Sequence, residues 1–139
     1  MATATRPTLD GLHHVKLPVT NLARSRAWYE RVLGLNVEIE FTDDHDGVIR
    51  GVAGTAPGLD RTALALRENA QAAAGVAGFD PIAFAVAGRT AIDRWVSHLD
   101  AEGVEHSTVI RATLGWIVAF RDPDGLELRL YSRSFEDQA

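Results

Sequence analysis

Hydrophobic residues alternate near the start of the chain, and the same alternation returns in its second half. Apolar side chains at every second position predict a strand, because successive side chains of a strand point to opposite faces. Apolar residues at helical spacing follow each of these stretches. The matching pairs are Val15 with Ile82, Leu17 with Phe84, Val19 with Val86, Trp28 with Trp95 and Val32 with Leu99. The chain therefore contains an internal repeat that begins with strand, turn and helix.

Residues with capping side chains mark the ends of the two predicted helices. Thr20 or Asn21 can cap the first helix, and Gly34 is a natural residue just past its end. The second helix is predicted over about 90–101, with Thr90 at its start in a capping-box-like pattern.

Three strand-like stretches follow each helix, so each half reads as βαβββ. The first half spans about residues 12–67 and the second about 79–132, with an Ala- and Gly-rich linker over about 68–78. We predict an α+β fold in which two βαβββ modules in tandem form a curved mixed, mostly antiparallel sheet around a cleft. Residues 1–8 are expected to be a disordered lead, and residues 9–139 a single domain. The predicted strands after the helices are 36–42, 47–53, 62–67, 104–110, 115–121 and 126–132.

Polar residues share one face of the first and last strands. His14 and Lys16 lie opposite the apolar face of the first strand, and Glu127 and Arg129 do so on the last. This polar face is either solvated, as in many one-sided antiparallel sheets, or lines a cleft for a small anionic or oxygen-rich ligand. Trp116 belongs to an apolar set on the strand before the last. It is a candidate for stacking on a planar ligand, although an aromatic residue there is more often part of the core.

Composition excludes several classes of protein. Apolar residues make up 46% of the 139-residue chain, which is enough for one domain with a real core. The net charge of -5 is scattered along the chain and argues against a nucleic-acid-binding face. No apolar run approaches the roughly 18 residues of a membrane span, and the N-terminus does not read as a signal peptide. Cysteine is absent, which excludes thiolate chemistry and fits a cytoplasmic location.

Two stretches of the sequence resemble the vicinal oxygen chelate superfamily. They are His14–Leu22, followed by Ser25, Trp28-Tyr29 and Leu33-Gly34-Leu35, and Phe120-Arg-Asp-Pro-Asp-Gly125. That superfamily includes glyoxalase I, extradiol dioxygenases, methylmalonyl-CoA epimerase, and fosfomycin and bleomycin resistance proteins. The resemblance covers about residues 10–132. It implies the fold described above and, in small members, a homodimer.

The resemblance also implies four positions for metal ligands, of which one is kept. His14 matches the first position, but Ala65, Pro81 and Arg129 occupy the other three. A guanidinium stays protonated and repels a dication. His14 with Glu127 would supply only two ligands, short of the three or four of a tight site. We therefore expect no metal and no cofactor at the family's usual site.

These considerations favour a metal-free small-molecule binding protein of the glyoxalase and bleomycin-resistance type. Its ligand is expected to be a small organic molecule, anionic or aromatic, contacted by His14, Lys16, Trp116, Glu127 and Arg129. Arg129 either pairs with Glu127 or, if Glu127 is otherwise occupied, clamps an anion together with Lys16. The alternative is a lyase, isomerase or dioxygenase that acts without metal or with a rebuilt metal site, with His14 or Glu127 as general base.

Overall fold

The computed structural model describes residues 5–42 and 46–137, and its elements follow the predicted order with one additional short helix. None of the described helices is long and apolar enough to cross a lipid bilayer. The elements are β1 His14–Val19, α1 Leu22–Leu33, β2 Asn36–Thr42, β3 Ile49–Thr55, β4 Ala63–Glu68, α2 Ala70–Val76, β5 Ile82–Val86, α3 Arg89–Ala101, β6 Ile110–Arg111, β7 Trp116–Arg121 and β8 Glu127–Ser132.

The strands form two four-stranded sheets, one in each module. The first sheet has the order β1-β4-β3-β2 and the second β5-β8-β7-β6. In both sheets the first strand pairs in parallel with the last strand of its module, and the remaining pairs are antiparallel. This confirms the α+β fold of two βαβββ modules, with the predicted sheet divided into two. In each sheet the first strand lies at an edge, so one side of its backbone forms no ladder.

The linker contains a helix that the sequence pattern did not predict. Residues 68–78 were interpreted as an irregular connection, but α2 forms within them. The side chain of Asn69 accepts a hydrogen bond from the backbone N–H of Ala72 and caps this helix. Alanine has the highest helix propensity of all residues, so one cap is sufficient for a short helix here.

Two predictions in the second module are wrong. The strand expected over 104–110 is reduced to β6 and an isolated bridge between His106 and Phe120. The hydroxyl of Ser107 accepts from the backbone N–H of Ala119, so a side chain replaces a ladder acceptor. Thr90 does not cap α3, because the helix begins one residue earlier, at Arg89, with Gly88 in the cap position. The N–H and hydroxyl of Thr90 instead bind the carboxylate of Asp137.

The two modules pack through their helices and share one hydrophobic core. Asn21 caps α1, as the sequence allowed, and Gly34 ends it with a φ of 75°. On the buried side of α1, the Tyr29 hydroxyl donates to Asp122 Oδ2 of the second module at 2.7 Å. The His98 Nε2 of α3 donates to the Val32 carbonyl oxygen at 2.8 Å. The face of each sheet that is turned away from this core is therefore the one available to solvent or ligand.

Candidate functional site

Strand register divides the polar residues between two separate surfaces. In the first sheet Lys16 pairs with Ala65, which pairs with Ala53, so these side chains share the face opposite the core. In the second sheet Ala83 pairs with Arg129, which pairs with Ala119. We call these surfaces the first and second outer faces. The first contains His14, Lys16, Phe41, Gly51, Ala53, Ala65 and Arg67, and the second contains Ala83, Ala85, Ile117, Ala119, Glu127, Arg129 and Tyr131.

Two cations meet over one aromatic ring on the first outer face. Lys16 Nζ lies 5.2 Å from the centroid of the Phe41 ring, and the Arg67 guanidinium lies 5.7 Å from it. The ring rests on Gly51, where a Cβ atom would overlap it. Sequence analysis identified Lys16 but missed Phe41 and Arg67, although the alternation of strand side chains could have placed both on this face. The surface formed is cationic and has an apolar base.

His14 lies at the start of the first outer face and is exposed. Its Nδ1 is 3.0 Å from the Nδ1 of His13, a distance at which one ring donates a hydrogen bond to the other. The two imidazole rings meet at the start of β1, with centroids 5.2 Å apart.

Arg129 on the second outer face is neutralised by two carboxylates. Its Nε donates to Glu127 Oε2 at 2.8 Å, and it also lies 3.3 Å from Asp80 Oδ2. The ion pair with Glu127 is thus present, and Asp80 is a partner that the sequence pattern did not reveal. A guanidinium held in this way is not free to clamp an anion, and the charge of Glu127 is already balanced.

Trp116 lies on the opposite side of its sheet from Glu127 and Arg129. The pairing of Val118 with Leu130 places Trp116 on the side that faces the core. Its indole Nε1 donates to the Phe135 carbonyl oxygen at 2.9 Å, and the Arg111 guanidinium covers its ring at 5.3 Å. The sequence pattern alone did not reveal this. The alternation within one strand does not show which of its two faces lies on the same side of the sheet as a given face of the neighbouring strand. The structure therefore does not bring Trp116 together with the other candidate residues.

The side chains at the four expected ligand positions do not fit a metal ion. Ala65 offers no donor, Pro81 precedes β5 without a donor side chain, and Arg129 is a cation bound to two carboxylates. Across residues 5–42 and 46–137, no three His, Cys, Asp or Glu side chains are grouped so that they could hold a metal ion. No chemical step through a metal can be built on these residues.

Two grooves of the described part of the chain lie apart from most of the candidate residues. The junction groove, of about 850 Å³, separates α1 from residues 103–107, and Glu127 is the only candidate residue along it. The apolar groove, of about 610 Å³, runs beside β5 and contains none of the candidate residues. In a single chain, the first and second outer faces therefore line no common groove among these two.

His106, on the wall of the junction groove, has both ring nitrogens beside an acceptor oxygen, an arrangement that favours the doubly protonated imidazolium. Its Nδ1 is 2.6 Å from the Ser107 carbonyl oxygen and its Nε2 is 2.7 Å from Asp100 Oδ1. The hydrogen bond to Ser107, followed by that to Asp100, raises the pKa of His106 above its ordinary value. Sequence analysis had assigned it to a regular strand, with no such partner.

We expect the free energy of unfolding to fall as pH rises from 6 toward 8. Because the folded state raises the pKa of His106, its contribution is fully present below about pH 6.5, the pKa of an unfolded histidine. It is lost as pH rises through the higher folded pKa. Urea denaturation across this range checks the slope. His106→Gln should flatten it and His13→Gln, at an exposed ring, should not; equal slopes in wild type and His106→Gln would contradict the assignment.

Comparison with known proteins gives one family and one recurrent fold. Residues 11–130 match the family described as Glyoxalase/Bleomycin resistance protein/Dioxygenase superfamily. Comparison with curated protein sequences gives no significant match. A glyoxylase/bleomycin resistance protein/dioxygenase domain from Frankia sp. EAN1pec is 27% identical, with a TM-score of 0.70 over 91% of this chain and 99% of that one.

Two further solved structures share the fold at lower identity. The antibiotic binding protein TnmS3 from Streptomyces sp. CB03234 is 17% identical, with a TM-score of 0.70 over 93% of this chain and 100% of that one. The fosfomycin resistance protein FosX from Listeria monocytogenes is 18% identical, with a TM-score of 0.73 over 91% and 96%. At such identity the likeness shows the architecture alone.

Proposed function

Because the chain belongs to the glyoxalase/bleomycin resistance protein/dioxygenase superfamily, we propose that it is a small-molecule binding protein whose ligand, an organic anion, lies on the first outer face without the family's usual metal. The observation that carries this proposal is the pair of cations, Lys16 and Arg67, over the ring of Phe41. A relative that is an antibiotic binding protein agrees with this class of function.

The charges of the first outer face favour an anionic ligand. Lys16 forms no ion pair with any residue that the structure describes, and it shares the Phe41 ring with a second cation. An anionic group over this ring would be attracted by both cations. The Phe41 ring occupies the space over Gly51 and presents an apolar surface beside the two cations to the body of the ligand. An aromatic or otherwise apolar acid satisfies both the charge and the surface.

We place the ligand between two copies of the chain. β1 and β5 are edge strands with one unpaired side each, and the exposed Ala83 and Ala85 of β5 offer no bulk that would prevent another strand from approaching. A homodimer joined at these edges would bring the second outer face of one chain opposite the first outer face of the other. The expected cytoplasmic location remains a prediction from the absence of cysteine.

The test uses a property of Lys16, which is the only lysine in the sequence. Reductive methylation with isotope-labelled formaldehyde gives one dimethyl-lysine NMR signal that reports on the first outer face. Aromatic carboxylates and phosphonates, each paired with a neutral ester or amide, are titrated into the protein. We expect the acids alone to shift this signal. Lys16→Ala should weaken their binding at least about tenfold, Lys16→Arg should retain most of it, and Arg94→Ala, at an exposed site on α3, should not affect it.

The outcomes separate this proposal from its alternative. Light scattering on the same sample should give the mass of two chains, and the mass of one chain would contradict the shared site. If the acids bind but leave the Lys16 signal unshifted, the first outer face is not the binding site. A stoichiometric metal ion in protein purified without a metal-affinity tag, together with turnover lost in His14→Ala, would instead establish the enzyme with a rebuilt site.

A further inference from the structure

The junction groove lies apart from the first outer face and borders the second, where it is lined by Ala119, Arg121 and Glu127. Its volume of about 850 Å³ falls within the range of ordinary ligand sites. One wall is α1 of the first module, and the other is the segment 103–107 with the end of β7 in the second. Neither His14 nor Lys16 lies along it.

Aromatic rings form the floor of the junction groove. Trp28 and Phe120 lie with ring centroids 6.2 Å apart and planes tilted by only 31°. Phe120 is buried in the core, whereas Trp28 is half-buried and lines the groove. Ala27 and Ala119 flank the rings and add little bulk. The half-buried Trp28 thus gives the groove an aromatic surface that a planar ring can cover.

Arginines surround this floor, and one of them is unpaired. Arg24 is 3.4 Å from Asp124, and Arg31 is 3.1 Å from Glu102, so both guanidinium groups are held by carboxylates. Arg121 is exposed and forms no ion pair with any residue that the structure describes. Its charge is therefore available to a ligand.

The carboxylates along the groove are mostly committed to other partners. Asp122 is buried and bonded to the Tyr29 hydroxyl, and Glu127 is bonded to Arg129. Asp100 pairs with His106. Glu105, at the exposed rim, is the remaining acid that lines the groove. Among the described residues that line the groove, Arg121 is thus the one uncommitted cation and Glu105 the one uncommitted acid.

We propose that the junction groove is a second binding site, for a planar aromatic anion such as an aromatic carboxylate or sulfonate. The ring system of the ligand covers Trp28, and its acidic group receives two hydrogen bonds from the planar guanidinium of Arg121. The site is formed within one chain, since both of its walls belong to the same molecule.

The experiment uses anilinonaphthalene sulfonate as the anionic probe and phenylnaphthylamine as its neutral counterpart. The indole N–H signals of the three tryptophans are followed by NMR, with Trp28→Phe identifying that of Trp28. We expect the sulfonate to shift the Trp28 signal, and Arg121→Ala to weaken this binding at least about tenfold while leaving the neutral probe unaffected. Arg61→Ala is the matched control, because Arg61 is an exposed arginine outside the groove.

Each outcome of this experiment either supports or overturns the second binding site. Shifts confined to Trp95 or Trp116, equal affinity in wild type and Arg121→Ala, or no binding at millimolar probe would overturn the second site. The dimethyl signal of Lys16 reports on the other surface in the same sample. A shift of Trp28 without a shift of Lys16 supports the second site even if the proposed function fails. A shift of Lys16 alone supports the proposed function and overturns the second site.

Discussion

Replacing Asp122 by alanine is expected to lower the free energy of unfolding by about 3 to 5 kcal/mol, a large part of the 5–15 kcal/mol typical of a domain. One oxygen of this buried carboxylate accepts from the Tyr29 hydroxyl, and the other accepts from the backbone N–H groups of Asp124 and Leu126. Alanine would leave three donors without an acceptor at the contact between the two modules. Chemical denaturation followed by tryptophan fluorescence measures the change.

Two milder substitutions make this prediction specific. Asp122→Asn keeps an oxygen that can accept from the backbone donors, and it removes the negative charge. Burial disfavours that charge and for this reason raises the pKa of Asp122. The free energy of unfolding should fall by less than half of the loss caused by Asp122→Ala. Tyr29→Phe removes one hydroxyl and should cost about 1 to 2 kcal/mol. If the free energy of unfolding of Asp122→Ala lies within about 1 kcal/mol of the wild-type value, the three hydrogen bonds do not stabilise the contact between the modules.

Gly54→Ala is expected to destabilise the protein by at least about 3 kcal/mol. A Cβ atom on Gly54 would overlap the Asn36 carbonyl oxygen and crowd the Cα of Val37. Both belong to the backbone of β2, beside a register shift between Val37 and Ile39, so no flexible side chain can move aside. The β2–β3 pairing must separate, and Phe41 of the first outer face moves with β2. Ligand binding on that face should therefore weaken together with stability.

Gly75→Ala is the matched control for this substitution. Gly75 lies within α2, and nothing stands within 4 Å of the Cβ position. The same change should there be neutral or stabilise the protein by up to about 1 kcal/mol, because alanine loses less backbone entropy than glycine in a helix. Equal destabilisation by the two variants would mean that the clash with β2 is not the cause.

The order of elements could be predicted because each module repeats the same local signals. Alternation over β1 and β5, and helical spacing over α1 and α3, depend on near neighbours in the chain. The helix α2 within the linker was not predicted and the strand over 104–110 was wrong, since the cap at Asn69 and the side-chain bond of Ser107 act in those segments. Neither changes the periodicity of hydrophobic residues.

The site was less predictable because it depends on which strands become neighbours. Parity placed Lys16 and Glu127 correctly on faces away from the core, but it could not show that Trp116 lies on the other side of its sheet. Asp80 reaches Arg129 from outside any strand, and Phe41 meets Lys16 across the whole width of the first sheet. Such contacts follow from pairing and register, which one sequence does not specify.

Among the strands of residues 5–42 and 46–137, no backbone ladder joins the two sheets, and the modules meet through side chains such as Tyr29 and Asp122. The peptide link through α2 is fixed at its ends, where Asn69 N–H donates to Val19 and Gly78 N–H donates to Gly125. Its role is thus that of a tether, which holds each half near the other at an effective concentration in the millimolar range. A chain cut within α2 would lose that proximity and disturb the packing around the buried Ala73, so its two halves would have to associate as separate molecules through the side chains that join the modules.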